Sequence, residues 1–277
     1  MKSAAGIVTF NPDQERIKEN IGSVLQQCSH LYIVDNGSSI FDELYKLSEH
    51  FTKGKITFIK NNKNEGIAKA LNQLCSAAYS DGYNWLLTLD QDSVCPSNML
   101  GEYLKYTDNN DVGIICPALN DRNMEIKKSE VETQYINSCI TSGSFVRLEA
   151  WKAVDGFDEV MFIDGVDFDF CDRIIKVGYK ILRLNKVVLL HEIGRITKRK
   201  FLFWNVYVKN HSAFRKYYIS RNIVYLEKKR RTRFGSIVAF LKVVKQYGLV
   251  LLYEDQKKEK LEAIIKGYRD GKILKIV

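Results

Sequence analysis

At 277 residues the chain can bury a full hydrophobic core, as one large α/β domain or one domain with a small extension. Its 45% hydrophobic and 27% charged content is that of a globular protein, and only three prolines argue against long disordered linkers. The net charge of +9 is divided: residues 1–197 carry 21 Lys+Arg against 27 Asp+Glu, residues 198–277 carry 21 against 6, which argues against a nucleic-acid binder and for an acidic body with a basic tail that touches an anionic surface.

The first 120 residues alternate short apolar runs with longer periodic stretches. Ala4–Phe10, Leu31–Val34, Ile56–Ile59, Trp85–Asp90 and Val112–Cys116 read as buried strands. Between them, Pro12–Gln27, Phe41–Phe51, Gly66–Ser80 and Ser97–Thr107 read as helices, with Pro12 and Pro96 suited to first turns. Such alternation predicts a mostly parallel sheet covered on both faces, whose ligands bind at the carboxyl ends of the strands. Those ends are polar: Thr9-Phe10-Asn11-Pro12, Asp35-Asn36-Gly37-Ser38-Ser39, Asn61-Asn62-Lys63-Asn64-Glu65-Gly66 and Asp90-Gln91-Asp92-Ser93 together form a rim for a nucleotide.

In the second half, Thr141-Ser142-Gly143-Ser144 precedes a short strand, Phe145–Arg147, and a helix at Leu148–Val154 leads to Gly156-Phe157-Asp158-Glu159. An acidic stretch with aromatic neighbours follows, Phe162 to Phe170. A helix from Asp167 to Val177 ends at Gly178, and a strand Lys180–Leu190 ends at His191. From His211 the pattern is helical and basic. The most apolar late segment, Phe234–Tyr253, is interrupted by Lys242 and Lys245 and reads as amphipathic rather than membrane-spanning. No charged leader precedes the first strand, so no signal peptide is expected. The cysteines Cys28, Cys75, Cys95, Cys116, Cys139 and Cys171 form no CxxC pair, which speaks against a zinc site and for buried thiols in a reducing, cytoplasmic setting.

Three features carry chemistry. Asp90 and Asp92 close a buried strand with one residue between them, so their carboxylates project to one side and repel unless a cation lies between. Oxygen-only ligation suits Mg²⁺ or Mn²⁺ bridging to phosphates; a solvated strand-end turn is the bland alternative. Asp164, Asp167 and Asp169 cluster at a helix start. Capping explains one acid better than three, and a carboxylate there suits a general base on an acceptor hydroxyl. His191 becomes a metal-ligand candidate if it shares an edge with Asp92.

The combination resembles the inverting glycosyltransferases of family 2, with the GT-A fold. The resemblance covers residues 4–195 and is carried by the strand-end segments above together with Asn64-Glu65-Gly66-Ile67-Ala68-Lys69-Ala70-Leu71-Asn72, Ser142-Gly143-Ser144, Gly156-Phe157-Asp158-Glu159 and Asp167-Phe168-Asp169-Phe170-Cys171-Asp172-Arg173. Phe162-Ile163-Asp164-Gly165-Val166-Asp167 and the segment His211–Asn222 look most like the bacterial branch that adds L-rhamnose from dTDP-L-rhamnose to surface polysaccharides such as O-antigen. The resemblance implies a catalytic domain at 1–197, with a nucleotide-binding half at 1–95 and an acceptor half at 96–197, and a basic helical extension at 198–277.

The resemblance also implies roles. Thr9, Asn11 and Asp35 would line the base and ribose pocket, with Asp35 accepting the base imide N–H. Asn64 and Gly66 lie on the loop passing the nucleotide, and Lys69 reaches toward it. Asp90, next to Gln91, faces the ribose, Asp92 holds the metal on the diphosphate, and His191 is a second candidate ligand. Asp167 falls at the catalytic base. Many members have Glu-Asp there, whereas this chain has Val166-Asp167, leaving Asp164 and Asp169 as candidate acceptor-binding or second acids. The expected partners are a nucleotide-sugar donor and a glycan or lipid-linked acceptor. The basic tail reads either as a solvated helical subdomain with its apolar faces packed on the catalytic domain or as a contact with an anionic membrane face, and oligomeric state stays open. Other hexose donors are alternatives. A nucleotidyltransferase is disfavoured because Phe10-Asn11-Pro12-Asp13 lacks a Gly-rich basic loop. A Rossmann oxidoreductase is disfavoured because no GxGxxG follows the first strand, and an inactive binding protein because Asp90, Asp92 and Asp167 are intact.

Overall fold

A computed structural model describes residues 3–51, 54–121, 131–191, 197–201 and 204–276. The chain forms two compact units, Met1–Glu159 with Asp167–Glu192, and Val160–Val166 with Ile193–Val277. The division thus falls slightly before the boundary expected at 197, and Val160–Val166 joins the C-terminal unit.

The first unit follows the expected strand–helix alternation. β1 (Ala4–Thr9), β2 (His30–Asp35), β3 (Ile56–Lys60) and β4 (Trp85–Asp90) run parallel, linked by α1 (Gln14–Leu25), α2 (Phe41–Ser48) and α3 (Ile67–Ser80). α4 (Met99–Leu104), β5 (Val112–Asp121), β6 (Thr133–Ile136), β7 (Ser144–Arg147), α5 (Leu148–Ala153), α6 (Val166–Lys176) and β8 (Lys180–His191) follow. β1 is buried along its whole length, as a strand covered by helices on both faces must be. α1 turns Ile17, Ile21, Val24 and Leu25 inward, and α3 turns Ala68, Leu71, Leu74, Cys75 and Ala78 inward, at helical spacing. Each fully buried Ile or Leu contributes about 1.5–3 kcal/mol. Both prolines expected in first turns lie ahead of their helices. Asp13 caps α1, its carboxylate accepting the Arg16 amide at 3.0 Å, so Pro12 precedes the cap, and α4 begins only at Met99.

The sheet order is β3-β2-β1-β4-β7-β5-β8-β6, with β7 antiparallel to β4 and β5. From β1 the chain proceeds through β2 and β3 on one side, while β4 lies on the other. That reversal opens a crevice at the carboxyl ends of β1 and β4. Register aligns the strand ends: Thr9 pairs with Asp35, Val8 with Asp90, and Asp35 with Lys60. β6 was not expected; Thr-Gln-Tyr-Ile at a sheet edge has no apolar run to announce it.

The second unit holds a hairpin, β9 (Thr197–Phe201) and β10 (Trp204–Val208), then α7 (Ala213–Arg230), α8 (Gly235–Tyr253) and α9 (Lys257–Ile273). The hairpin was also unexpected, because the cations Lys198, Arg199 and Lys200 hide any hydrophobic alternation. α7 and α9 approach closely at Gly267 and Gly271. A Cβ there would meet the carbonyl oxygens of Tyr217 and Arg221 at 2.2 and 2.6 Å, so only glycine fits. Glu254 is buried between Lys216 and Lys260, at 2.6 and 3.0 Å, and this pairing compensates the removal of three charges from water. By length and composition α8 is able to cross a membrane.

Val160–Val166 packs within this unit. Asn222 Nδ2 lies 2.8, 2.8 and 2.7 Å from the carbonyl oxygens of Met161, Ile163 and Asp164, and Arg221 donates to the Val160 carbonyl. The Phe162 ring stacks on Tyr218 with centroids 4.9 Å apart. Phe162, Asp164 and Gly165 all have left-handed backbone, with φ of 60°, 65° and 87°. Side-chain bonds from Asn222 offset the cost of that conformation.

Candidate functional site

The site grows from the ends of β1, β2 and β4. The Thr9 hydroxyl donates to Asp35 Oδ1 at 3.1 Å, and Asp35 Oδ2 accepts the Ser38 amide at 2.9 Å. Both Thr9 and Asp35 are fully buried. Asn11, at φ 44°, anchors the same corner: its amide donates to Ser38 Oγ at 2.8 Å and its Oδ1 accepts the Ser39 amide at 2.9 Å. Gln91 spans the crevice, its Oε1 accepting the Phe10 amide at 2.8 Å. Thr9, Asn11, Asp35, Asp90 and Gln91 are therefore brought to one sheet edge.

Asn64 and Gly66 join them through Asn36. Asn36 Nδ2 donates to Asn64 Oδ1 at 3.1 Å and to the Gly66 carbonyl at 3.2 Å, while its Oδ1 accepts the Asn61 side chain and the Glu65 amide, each at 3.0 Å. Asn64 Oδ1 also accepts the Gly66 amide at 2.9 Å. Lys69 reaches back to Glu65 at 3.2 Å, so its charge is held at the loop. Gly37 is indispensable to this arrangement: its φ is +85°, and a Cβ would meet the Lys63 carbonyl carbon at 2.5 Å.

The turn after β4 is held from two sides. Asn20 Nδ2, from the buried face of α1, donates to the Asp90 carbonyl at 2.7 Å. Ser142 Oγ accepts the Asp90 amide at 3.2 Å and lies 2.6 Å from Ser93 Oγ. The 139–144 loop is stitched to β4 besides: Thr88 Oγ1 donates to the Thr141 carbonyl at 2.6 Å, and the Gly143 amide donates to the Thr88 carbonyl at 2.8 Å. The same loop meets Asp167, which shares a small pocket with Cys139, Ile140, Thr141, Phe157 and Phe170. Asp167 stands in the first turn of α6, where the helix dipole favours a carboxylate.

Asp169 has a structural task. It is buried, and its Oδ2 accepts from Arg173 Nε at 2.7 Å; Arg173 also donates to the carbonyls of Val154 and Gly156. The turn after α5 is pinned a second time by Asn72. Its Oδ1 accepts the Trp151 indole at 3.0 Å and the Phe157 amide at 2.8 Å, and its Nδ2 donates to the Phe157 carbonyl and Glu159 Oε1, each at 2.9 Å. In the second unit, Asp164 is held by Arg215. Asn36, Asn72 and Ser142 stood in the sequence motifs without a task of their own, and Asn20 stood in none. A fully buried asparagine on the apolar face of α1 was the available signal for Asn20.

The six cysteines are free thiols, and the sulfurs of Cys139 and Cys171 lie 3.9 Å apart. Burial pushes the Cys28 thiol up to about 11 and Cys95 up to about 12, which keeps both protonated and unreactive. For a metal, Asp90 and Asp92 supply oxygen donors, a set that fits Mg²⁺ or Mn²⁺ with phosphate and water completing the shell. Among the described residues no three His, Cys, Asp or Glu side chains converge into a metal cluster. The His191 side chain lies outside the described residues, although β8 carries the backbone to that position.

Known proteins resemble this chain in sequence or in fold. The sequence pattern described as Glycosyl transferase family 2 matches residues 5–174. The dTDP-rhamnosyl transferase RfbF of Shigella flexneri is 28% identical over 244 residues, covering 81% of this chain and 79% of that protein. Hyaluronan synthase of Streptococcus pyogenes is 32% identical over 135 residues, 45% of this chain and 31% of the synthase. Among solved structures, S. aureus TarS superposes with a TM-score of 0.62 at 14% identity, covering 98% of this chain and 81% of that one. The mannosyltransferase PcManGT from Pyrobaculum calidifontis, in complex with GDP-Man and Mn²⁺, also gives 0.62, at 13% identity and covering 100% and 76%. The fold is thus GT-A, as expected. With the family pattern spanning both the Asp90-Gln91-Asp92 turn and Asp167, the chain belongs to glycosyl transferase family 2 and is a glycosyltransferase.

Proposed function

We propose that this glycosyltransferase moves L-rhamnose from dTDP-L-rhamnose, with inversion, to a hydroxyl of a polysaccharide or lipid-linked oligosaccharide on the cytoplasmic side of a membrane. The observation that carries the reaction is the 139–144 loop, which is bonded to the Asp90 turn and lines the Asp167 pocket. That continuity supports reading the Asp90 turn as the donor side and Asp167 as the base. Likeness to RfbF over most of the chain supports the choice of donor.

Asp35 keeps lone pairs beyond those used by Thr9 and Ser38, which suits it to accept the imide N–H of a thymine base. Thr9 and Asn11 shape the base and ribose pocket, and Asn64, Gly66 and Lys69 flank the nucleotide. Asp90 faces the ribose, and Asp92, with His191 as a second candidate, would hold a divalent cation. Such a cation offsets charge on the departing diphosphate. Asp167 takes the proton of the acceptor hydroxyl as that oxygen attacks the anomeric carbon. The bond to the diphosphate breaks, its electron pair leaves with the phosphate oxygen, and the configuration inverts in one displacement.

A panel of dTDP-, UDP- and GDP-sugars with Mg²⁺ or Mn²⁺ tests the donor; turnover is expected with dTDP-L-rhamnose, and preference for another sugar overturns that choice. NMR of the product's anomeric carbon tests the stereochemistry, and retention would rule out single displacement.

A further inference from the structure

From Lys228 to Tyr253 the chain has no Asp or Glu and seven cations, Lys228, Lys229, Arg230, Arg231, Arg233, Lys242 and Lys245. Within that run α8 has two unlike faces. Gly235, Ala239, Val243 and Val250 are buried, and three of them share a core cluster with Val224 of α7 and Ile264 of α9. On the other side Phe234, Ile237, Leu241, Val244, Leu251 and Leu252 are exposed. Steps of three, four and three residues from Phe234 to Val244, then seven to Leu251, put them on one stripe about 25 Å long. The stripe also carries the exposed Lys245, four residues after Leu241, whose long stem can lie along the apolar surface with its ammonium at the headgroups. Leu241 and Ile237 are 59% and 57% exposed, which is unusual for large aliphatic side chains on a water-facing helix.

The near flank is basic, and the far flank carries cations beside the exposed acids Asp255 and Glu259. Arg231 and Arg233 precede the stripe. Beyond its far end stand Lys257 and Lys258, and the Tyr253 hydroxyl bonds the Lys200 carbonyl, bringing the Lys198-Arg199-Lys200 strand alongside. An apolar stripe framed by cations matches the boundary between acyl chains and anionic headgroups.

We infer that α8 lies in the plane of an anionic bilayer, its Phe234–Leu252 stripe inserted among acyl chains and the surrounding Lys and Arg against headgroup phosphates. The helix is long enough to span, but its inner face is packed and Lys242, at mid-helix, pairs with Glu227 at 2.7 Å. Spanning would expose that packing and strip that pair; lying flat keeps both. Each cation at the surface raises partition about five-fold, and the apolar stripe keeps part of the attachment when salt screens the charges.

Flotation of the full chain with phosphatidylcholine vesicles, with and without phosphatidylglycerol, tests this. The chain is expected to float with the anionic vesicles. A variant combining Ile237→Ser, Leu241→Ser and Leu252→Ser should lose flotation at least about ten-fold while its circular dichroism and melting temperature stay unchanged. No flotation with anionic vesicles, or equal flotation of this variant, overturns the inference. So does a dimer by light scattering that the triple substitution dissociates, since a second copy would then cover the stripe. A single change, Leu241→Trp, gives an independent reading: a blue-shifted emission with anionic vesicles is expected, and no shift counts against insertion. Neither assay needs donor or acceptor, so failure here leaves the rhamnosyl reading standing.

Discussion

Asp164 and Arg215 meet edge-on: Asp164 Oδ2 is 3.1 Å from Arg215 Nε, and Oδ1 is 2.5 Å from Nη2. Both carboxylate oxygens thus face one guanidinium in a paired, fork-like geometry. The residue suits the role of a brace for the Val160–Val166 segment better than that of a second acid. Asn tolerates the left-handed backbone at 164, so Asp164→Asn removes the charge with little added strain. Arg215 is 41% exposed and the pair is partly screened, so a loss of about 1 kcal/mol is expected in thermal melting. Turnover should persist; a folded Asp164→Asn protein without activity would put this carboxylate in the chemistry.

Asp167 and Asp92 should fail differently. Asp167→Asn is expected to cut kcat by about 10²–10⁴-fold, with dTDP affinity little changed. Asp92→Asn should weaken binding of dTDP in the presence of Mn²⁺ and leave metal-free binding nearly as it was. Titration calorimetry beside steady-state rates separates the two. Full activity in the Asp167→Asn protein would remove it from the role of base.

Gly37→Ala is expected to be severe for a residue that adds one methyl group. The new Cβ would sit 2.5 Å from the Lys63 carbonyl carbon and 2.9 Å from the Asn64 nitrogen, backbone atoms that cannot rotate away. Left-handed φ adds about 1–2 kcal/mol. Denaturant unfolding should show a loss of at least about 2 kcal/mol, and dTDP affinity should fall as the Asn64–Gly66 loop shifts.

At Asn72 the direction of the hydrogen bonds matters. Asn72→Ala leaves the Trp151 indole and the Phe157 amide without their acceptor, and about 2–3 kcal/mol should be lost. Asn72→Asp is nearly the same size but sets an oxygen against the Phe157 carbonyl and Glu159 Oε1. It should melt at least as low as the alanine variant near neutral pH. An aspartate variant as stable as wild type would show that the site is not polarised this way.

Stability should also carry a histidine signature. Burial, reinforced by the Arg215 guanidinium and the charges of Lys216 and Lys209, pulls His211 down to about 4 from 6.5, with Asp164 opposing. The unfolded chain takes up this proton below about pH 6.5, and the native chain only near 4. The contribution is therefore complete above pH 6.5, is lost as pH falls toward 4, and changes no further below it. Melting temperatures of His211→Gln should be less steep across that window than those of wild type; identical slopes would assign the pH dependence elsewhere.

The first four strands and their helices were legible because apolar runs bounded by Gly, Asn and Asp leave little freedom in an α/β sheet. Thr9, Asp35 and Asp90 were also legible, since strand ends in such a sheet share one edge. β6 and the β9–β10 hairpin were not, because edge strands carry polar and cationic side chains that mask the alternation. The tasks of Asn72 and Ser142, both in quoted motifs, escaped for another reason. Each works through a partner dozens of residues away, Phe157 and Asp90, and no local pattern encodes a long-range hydrogen bond. The displacement of Pro12 from α1 is a local miss: Asp13 competed for the cap and won.

The grip of Asn222 on Met161, Ile163 and Asp164 has a consequence for synthesis. These bonds span 58 to 61 residues, so Val160–Val166 leaves the ribosome well before its partner is made. The strands β1–β5 and β7 before it hold most of the sheet's core and can form early, as N-terminal units do. The stretch leading into Asp167 must wait for α7. A chain cut short after β8 would keep the edge formed by β1, β2 and β4 yet lack the partners of the residues just before Asp167, and a nascent transferase would mature late.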